Sequence, residues 1–256
     1  MGKIGFSIFN HFIAYYGLEI ALGLLFALTV AYLQIKHHNL VWNDFIIIAA
    51  TGGLFGIIGA KALYFIISYQ TIDFSRILEW NYLSSVMQGG FVFYGGLLGS
   101  LFGLWICQKN FHINIYDYLK RCTPCIPIAH GFGRIGCYLV GCCHGIPFDS
   151  CISVIYTESL YAPNHIPLFP VQLIEAIGDF LIATILLIAE KKVRAFNPLS
   201  LYLCLYSIMR FFLEFTRYDA IRGILGWFST SQIISIAVII IVFLQRLNYQ
   251  PIKSDK

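Results

Sequence analysis

Seven long, nearly uncharged stretches punctuate this chain, at roughly 17–35, 45–69, 90–107, 125–142, 171–189, 199–216 and 230–246. About 20 mostly apolar residues carry a helix across a bilayer's hydrocarbon core, so the pattern predicts seven transmembrane helices. The rest of the composition leaves little alternative. Hydrophobic residues make up 58% of the 256 residues and charged residues 12%, whereas soluble domains run nearer a quarter charged. Such a chain cannot clothe a water-facing surface, and it is no disordered segment, basic nucleic-acid binder or small disulfide-stapled secreted module. The expected fold is an all-α, multi-pass integral membrane protein, with residues 1–256 forming a single seven-span membrane domain. The N-terminal MGKIGFSIFN lacks the charged, apolar and cleavage-site order of a signal peptide, so the first stretch reads as a retained span. No internal repeat or low-complexity tract is visible.

Lysine and arginine placement predicts orientation, because cytoplasmic loops carry the excess. With the C-terminus cytoplasmic, the inner set is Lys36, Lys109, Lys120, Arg121, Lys191, Lys192, Arg194, Arg246, Lys253 and Lys256, ten in all. The outer set is Lys3, Arg76, Arg217 and Arg222, four in all. The N-terminus is therefore expected outside. The 143–170 connection, with Asp149 and Glu158 and no Lys or Arg, and the 70–89 loop both fall on the outer side.

Three cations remain, and all lie within predicted spans: Lys61, Arg134 and Arg210. A charge at the bilayer centre costs about 2.5–3.5 kcal/mol on insertion scales. Internal ion pairing is one explanation, since Arg210 and Glu214, and Glu175 and Asp179, each share a helix face at i,i+4. The other is an anionic ligand, because cations outnumber the acids expected nearby. Within a membrane the most available anion is a phospholipid head group. Arginine grips phosphate through a planar fork of donors, which ammonium lacks. On residue type and position, Arg134 and Arg210 are the candidate clamp, with Lys61 and Tyr64 as additional donors.

The densest motif is residues 130–145, HGFGRIGCYLVGCCHG. On a helix, His130, Arg134, Cys137 and Gly141 fall on one face. Glycines alone would mean close helix packing, but an arginine at the centre of that face points further. GFGRIG (131–136) resembles the signature of the prolipoprotein diacylglyceryl transferase family. YYGLEIALG (15–23), GFVFYGGLLG (90–99), PVQLIE (170–175) and YSIMRFFLEFTR (206–217) resemble further family segments, in family order.

The resemblance implies a bacterial plasma (inner) membrane enzyme with its active site toward the outer face. Such an enzyme moves the diacylglyceryl group of phosphatidylglycerol to the lipobox cysteine thiol of a preprolipoprotein signal peptide, leaving a thioether and glycerol phosphate. It implies Arg134, Arg210 and Tyr16 as catalytic candidates; Tyr94, at the family's His position, is a further one, and His130, one turn before Arg134, or His144, at the outer edge, is the candidate base. It implies Lys61, Tyr64, Gly95, Gly96, Gln172, Glu175, Tyr206, Glu214 and Arg217 around the substrate. The implied partners are membrane lipid and the preprolipoprotein, with no nucleic acid, no cofactor and no metal required.

Three positions depart from the family pattern. Tyr94 stands in place of His in the 90–99 segment, Cys137 in place of Asn, and Cys142 in place of Glu. The cysteines open a rival reading as a thiol-redox or metal-binding membrane protein. Cys122 and Cys125 form a CxxC, and Cys142, Cys143 and His144 cluster further on. A helix between the two groups would hold them about 25–30 Å apart, which argues against one combined site. For the outer cysteines, packing ranks first, a disulfide to Cys151 second and a metal third.

Overall fold

The computed structural model describes residues 2–9, 11–192, 197–218, 224–225 and 228–248. Four residues used for the orientation, Arg194, Arg222, Lys253 and Lys256, lie outside the described residues. The helices are α1 (Tyr15–His37), α2 (Trp42–Ile67), α3 (Trp80–Gln88), α4 (Phe93–Phe111), α5 (Ile115–Cys122), α6 (Cys125–Val140), α7 (Val171–Lys192), α8 (Pro198–Leu213) and α9 (Thr230–Asn248). Each of the seven apolar stretches falls on one of them. The short helices α3 and α5 lie between stretches, where turn-like composition hid them. Purely helical structure is not what forms, because three two-stranded antiparallel ribbons accompany the helices. They are β1 (Gly5–Ile8) with β2 (His11–Ala14), β3 (Val154–Ile155) with β4 (Pro167–Leu168), and β5 (Ile224–Leu225) with β6 (Phe228–Ser229).

Among the described residues, four helical segments are long and apolar enough to cross a membrane: Tyr15–His37, Trp42–Ile67, Val171–Lys192 and Pro198–Thr216. The last includes a 3-10 turn, Glu214–Thr216, that continues α8. Cys125–Val140 and Thr230–Arg246 are shorter apolar helices. Large apolar side chains such as Leu25, Phe26, Ile57, Ile66 and Leu181 are more than half exposed. A surface so rich in outward apolar residues suits lipid rather than water. This is a mostly helical membrane protein.

Backbone contacts gather into two units, Met1–Gln34 with Lys120–Lys256, and Ile35–Leu119. In the second unit, α2 packs on α4 through facing glycines. A Cβ on Gly59 would strike the Gly95 carbonyl, and one on Gly99 would strike the Phe55 carbonyl. Only hydrogen side chains allow two helix backbones to approach so closely. Beyond that seam Ile48, Cys107, Ile113, Ile115 and Tyr118 form an apolar core. The Tyr118 hydroxyl joins it to the start of α2, 3.1 Å from the Val41 amide and 3.2 Å from Asp44 Oδ2.

In the first unit α7 is the central element, packed against both α6 and α8, and α8 in turn packs on α9. Gly131 of α6 lies against the Phe180 ring, and Gly178 of α7 beside the Met209 thioether. Asn197 caps α8 by accepting the Ser200 amide at 3.2 Å, with Pro198 at the first helical position, where its missing N–H costs nothing. The 143–170 connection is tied back to the end of α6. Ser159 Oγ donates to the Val140 carbonyl at 2.7 Å and accepts the Ala162 amide at 3.0 Å. Tyr156, fully buried, donates to the Tyr138 carbonyl at 2.9 Å. Near the other end of α7, Glu190 accepts from Arg121 at 2.6 Å and from Gln34 at 2.5 Å.

Candidate active site

Three helix faces in the first unit converge on one carboxylate. On α6, His130 and Arg134 stand one turn apart; on α7, Gln172, Glu175 and Asp179 do likewise; on α8, Tyr202, Tyr206 and Arg210 follow at i,i+4,i+8. Glu175 is 1% exposed. Its Oε1 lies 3.1 Å from Arg134 Nη2 and accepts from the Tyr206 hydroxyl at 3.4 Å. Its Oε2 lies 4.0 Å from Arg210 Nη1. Arg210 Nη2 is 2.9 Å from Glu214 Oε2, one turn further along α8, and 3.3 Å from Ser231 Oγ.

The line continues on the other side of Arg134. Arg134 Nε donates to His130 Nε2 at 3.2 Å, and His130 Nδ1 lies 3.0 Å from Asp179 Oδ2. His130 thus stands between Asp179 and Arg134, placed to orient the guanidinium. Tyr206 packs edge-on to the His130 ring at 5.3 Å and stacks on Tyr202 at 5.8 Å.

The chain of contacts, Asp179–His130–Arg134–Glu175–Arg210–Glu214, corrects one expectation. Cations do not outnumber acids here, because two arginines meet two glutamates and the third acid holds a histidine. The i,i+4 pair of Arg210 and Glu214 forms as its spacing suggests, whereas Asp179 turns to His130. Even so, among the described residues Arg210 Nη1 is buried with no hydrogen bond, Glu175 Oε2 standing 4.0 Å away. An unmatched cationic donor in a dry setting is costly unless an anion completes it.

The remaining first-unit candidates surround this line. Tyr16, at the start of α1 and 43% exposed, lies with its ring over Gly136, where a Cβ would sit 3.0 Å from Tyr16 Cδ2. Gln172, 1% exposed, donates to the Cys142 carbonyl at 2.8 Å. Arg217 stands in the strand-like bridge Gly145–Arg217, beside the Tyr218 amide that donates to the His144 carbonyl at 3.1 Å. It is near enough to Arg210 for the two cations to repel.

The second unit holds the other five candidates, and it gives several of them other duties. Lys61, 7% exposed, donates from Nζ to the carbonyls of Val86 at 2.5 Å, Met87 at 3.3 Å and Gly89 at 2.5 Å. An ammonium has three donors, and all three are taken. Lys61 thus neutralises the carbonyl-rich end of α3, with the Tyr64 and Phe91 rings 4.9 and 4.8 Å away. Tyr64 also forms the floor beneath Gly90, whose φ of +66° suits glycine. Gly95 is consumed by the α2–α4 seam, while Gly96 lies looser, its Cβ position 3.5 Å from Ala60 and from the Gly56 carbonyl. Tyr94 is 46% exposed and packs edge-on to Phe93 at 5.6 Å.

Sequence reasoning noted Asp179 only as the helix-face neighbour of Glu175, and it omitted Tyr202 and Ser231. Asp179 carried a signal, being an acid one turn from Glu175 in an otherwise apolar helix. Tyr202 and Ser231 carried none, since a tyrosine one turn before another and a serine at a helix start are ordinary. All eight cysteines are free thiols, so no disulfide joins Cys142 or Cys143 to Cys151. The thiols of Cys137, Cys142 and Cys143 lie within 4.8 Å of one another, which places Cys137 in the cluster where the spacing had suggested His144. Cys122 and Cys125 sit at the opposite end of α6.

A helical membrane protein with a buried arginine–carboxylate line between its central helices is the class these features define. The family model for prolipoprotein diacylglyceryl transferase matches residues 3–246. The phosphatidylglycerol–prolipoprotein diacylglyceryl transferase of Clostridium tetani is 36% identical over 245 residues, covering 94% of this chain and 95% of that protein. Enzyme 2 of the same name from Clostridium perfringens is 35% identical over 91% of this chain and 90% of its own length. The Finegoldia magna protein is 29% identical with both chains covered in full. The chain belongs to the prolipoprotein diacylglyceryl transferase family.

Proposed function

We propose that this protein transfers the diacylglyceryl group of phosphatidylglycerol to the lipobox cysteine thiol of preprolipoproteins. The observation that carries this reading within the structure is the Arg134–Glu175–Arg210 bridge, in which Arg210 Nη1 is buried 4.0 Å from Glu175 and makes no hydrogen bond among the described residues. Glu175 holds two guanidiniums in place before any substrate arrives, and Arg210 keeps a donor for the phosphate. In the reaction a sulfur–carbon bond forms at the glyceryl carbon and the carbon–oxygen bond to phosphate breaks. The oxygen departs with the electron pair as glycerol phosphate, and the thiol proton passes to that phosphate or to solvent. Charge grows on the leaving phosphate, and preplaced cations away from water stabilise it strongly.

In this scheme Arg134 and Arg210 bind the head group and favour its departure, and Tyr206, Gln172, Glu214 and Arg217 frame it. His130 positions Arg134, and Tyr16 and Tyr94 stand as further catalytic candidates. Lys61, Tyr64, Gly95 and Gly96 shape the outer part of the second unit. The seven apolar helices are read as seven spans of one membrane domain in the bacterial plasma membrane. The N-terminus lies outside, the C-terminus in the cytoplasm and the site toward the outer face. The scheme needs no cofactor.

The test is purified full-length protein in detergent with phosphatidylglycerol and a lipobox peptide, in Cys and Ser versions, followed by mass spectrometry. A diacylglyceryl gain on the Cys peptide alone is expected. No gain, with the lipid shown to be bound, would reject the thiol acceptor.

A further inference from the structure

The transferase reading uses neither Cys137, Cys142 nor Cys143, and the way the backbone gathers them calls for an explanation. Cys137 lies in the last turn of α6 and is 8% exposed. The helix then stops at Gly141, whose φ of +87° is the left-handed cap conformation, and the Gly141 amide bonds back to the Cys137 carbonyl at 2.9 Å. That cap reverses the chain, and Cys143 follows with φ +55°. A left-handed backbone is uncommon for a residue other than glycine, asparagine or aspartate, and costs of order 1–3 kcal/mol that the surroundings must offset. The outcome is three thiols within 4.8 Å of one another.

Packing alone does not require this, because an apolar fill could use any small side chain and an unstrained turn. We propose that Cys137, Cys142 and Cys143 form a three-thiolate site for zinc, with the fourth position open to water or an incoming thiolate. Tetrahedral zinc with Zn–S bonds near 2.3 Å sets its sulfurs about 3.8 Å apart, so closure asks for a contraction of about 1 Å from the present limit. Three thiolates on Zn²⁺ leave one negative charge, and Arg134 and Arg217 are the cations close to Cys143. An outer support is also built. Gln172, buried on α7, donates to the Cys142 carbonyl at 2.8 Å and fixes the ligand loop, the kind of second contact that tunes metal affinity. The site shares Arg134, Arg217 and Gln172 with the head-group site proposed above, and the proposal does not depend on which acceptor the enzyme uses.

Zinc analysis of the full chain in detergent tests this, on protein purified with reductant and then loaded with ZnCl₂. About one zinc per chain is expected for wild type and for Cys151→Ser, whose thiol is exposed and outside the cluster. Zinc should be lost from the Cys142→Ser/Cys143→Ser double variant. Gln172→Ala should weaken zinc binding about 10–100-fold while the chain stays folded. Cobalt in place of zinc should give thiolate-to-metal charge-transfer bands and tetrahedral d–d bands in wild type and Cys151→Ser, and none in the Cys142→Ser/Cys143→Ser double variant. Alkylation provides a readout independent of variants, because zinc should shield three of the eight thiols. Equal alkylation with and without zinc, no cobalt–thiolate band, or a disulfide within the cluster in the reduced preparation would overturn the proposal.

Discussion

Two regions of this protein bury cations among apolar helices, and they dispose of the charge in opposite ways. In the α6–α7–α8 region, Arg134 and Arg210 share Glu175, and the line ends in Asp179 on one side and Glu214 on the other. In the α2–α4 region, Lys61 pairs with no carboxylate among the described residues, and its ammonium is filled by three backbone carbonyls. Among the described residues, the first arrangement leaves Arg210 Nη1 with no hydrogen bond, and the second leaves Lys61 no donor to give. A buried cation is thus a functional signal only when its donors exceed its partners, and geometry decides that where sequence position cannot.

The comparison breaks most directly at Arg134. Arg134→Ala removes the guanidinium that links the His130–Asp179 arm to Glu175, and diacylglyceryl transfer should fall about 10³-fold, the upper end for loss of one preorganised donor. Product mass per unit of folded protein is the measure, and full activity would remove the clamp from the mechanism. Arg210→Lys should lose less, about 10²-fold, since the charge stays but the fork that reaches Glu175, Glu214 and Ser231 together does not. An unchanged rate there would mean that a point charge suffices.

Much of this contrast was legible in the sequence, and the illegible part has a physical cause. The seven apolar stretches announce the long helices, because hydrocarbon admits few alternatives to a helix. The Arg210–Glu214 pair is visible because it lies within one helix. By contrast, the Asp179–His130 contact crosses from α7 to α6, and nothing in either helix alone specifies it. The contacts of Lys61 are hidden for a related reason. Its acceptors are the backbone carbonyls of Val86, Met87 and Gly89, and carbonyls have no sequence signature. The fate of Gly95 was equally hidden, because a glycine for ligand approach and a glycine for helix approach are the same letter.

Lys61→Met sharpens the comparison from the other side. Removing the ammonium strands carbonyls at the end of α3, and an unmatched buried polar group costs about 1–3 kcal/mol. Thermal unfolding in detergent should shift downward, while transfer per folded molecule should change less than about tenfold, well short of the loss for a preorganised donor. A hundredfold loss of transfer at unchanged unfolding temperature would return Lys61 to the head-group site.

The smallest effect lies at the other end of the segment that Lys61 caps. Asp73 accepts the Ser75 amide at 3.0 Å and the Ser75 hydroxyl at 2.6 Å, and these bonds hold its carboxyl below the usual range. Arg76 does the same for Glu79, through contacts of 3.0–3.2 Å. A carboxyl with a depressed pKa contributes stability above its ordinary value, near ~3.9 for Asp and ~4.3 for Glu, and loses it as pH falls through the depressed value. The turn at 73–79 should therefore hold unchanged at neutral pH and loosen only in acid, below about pH 4. Carbon-13 titration of the Asp73 carboxyl in micelles should give a midpoint below ~3.9, and Ser75→Ala should move it back up. Because both carboxylates are exposed and water screens them, transfer activity near neutral pH should not register the change. An activity loss in Ser75→Ala would instead tie this turn to the site, and the two regions would no longer act as separate solutions to a buried charge.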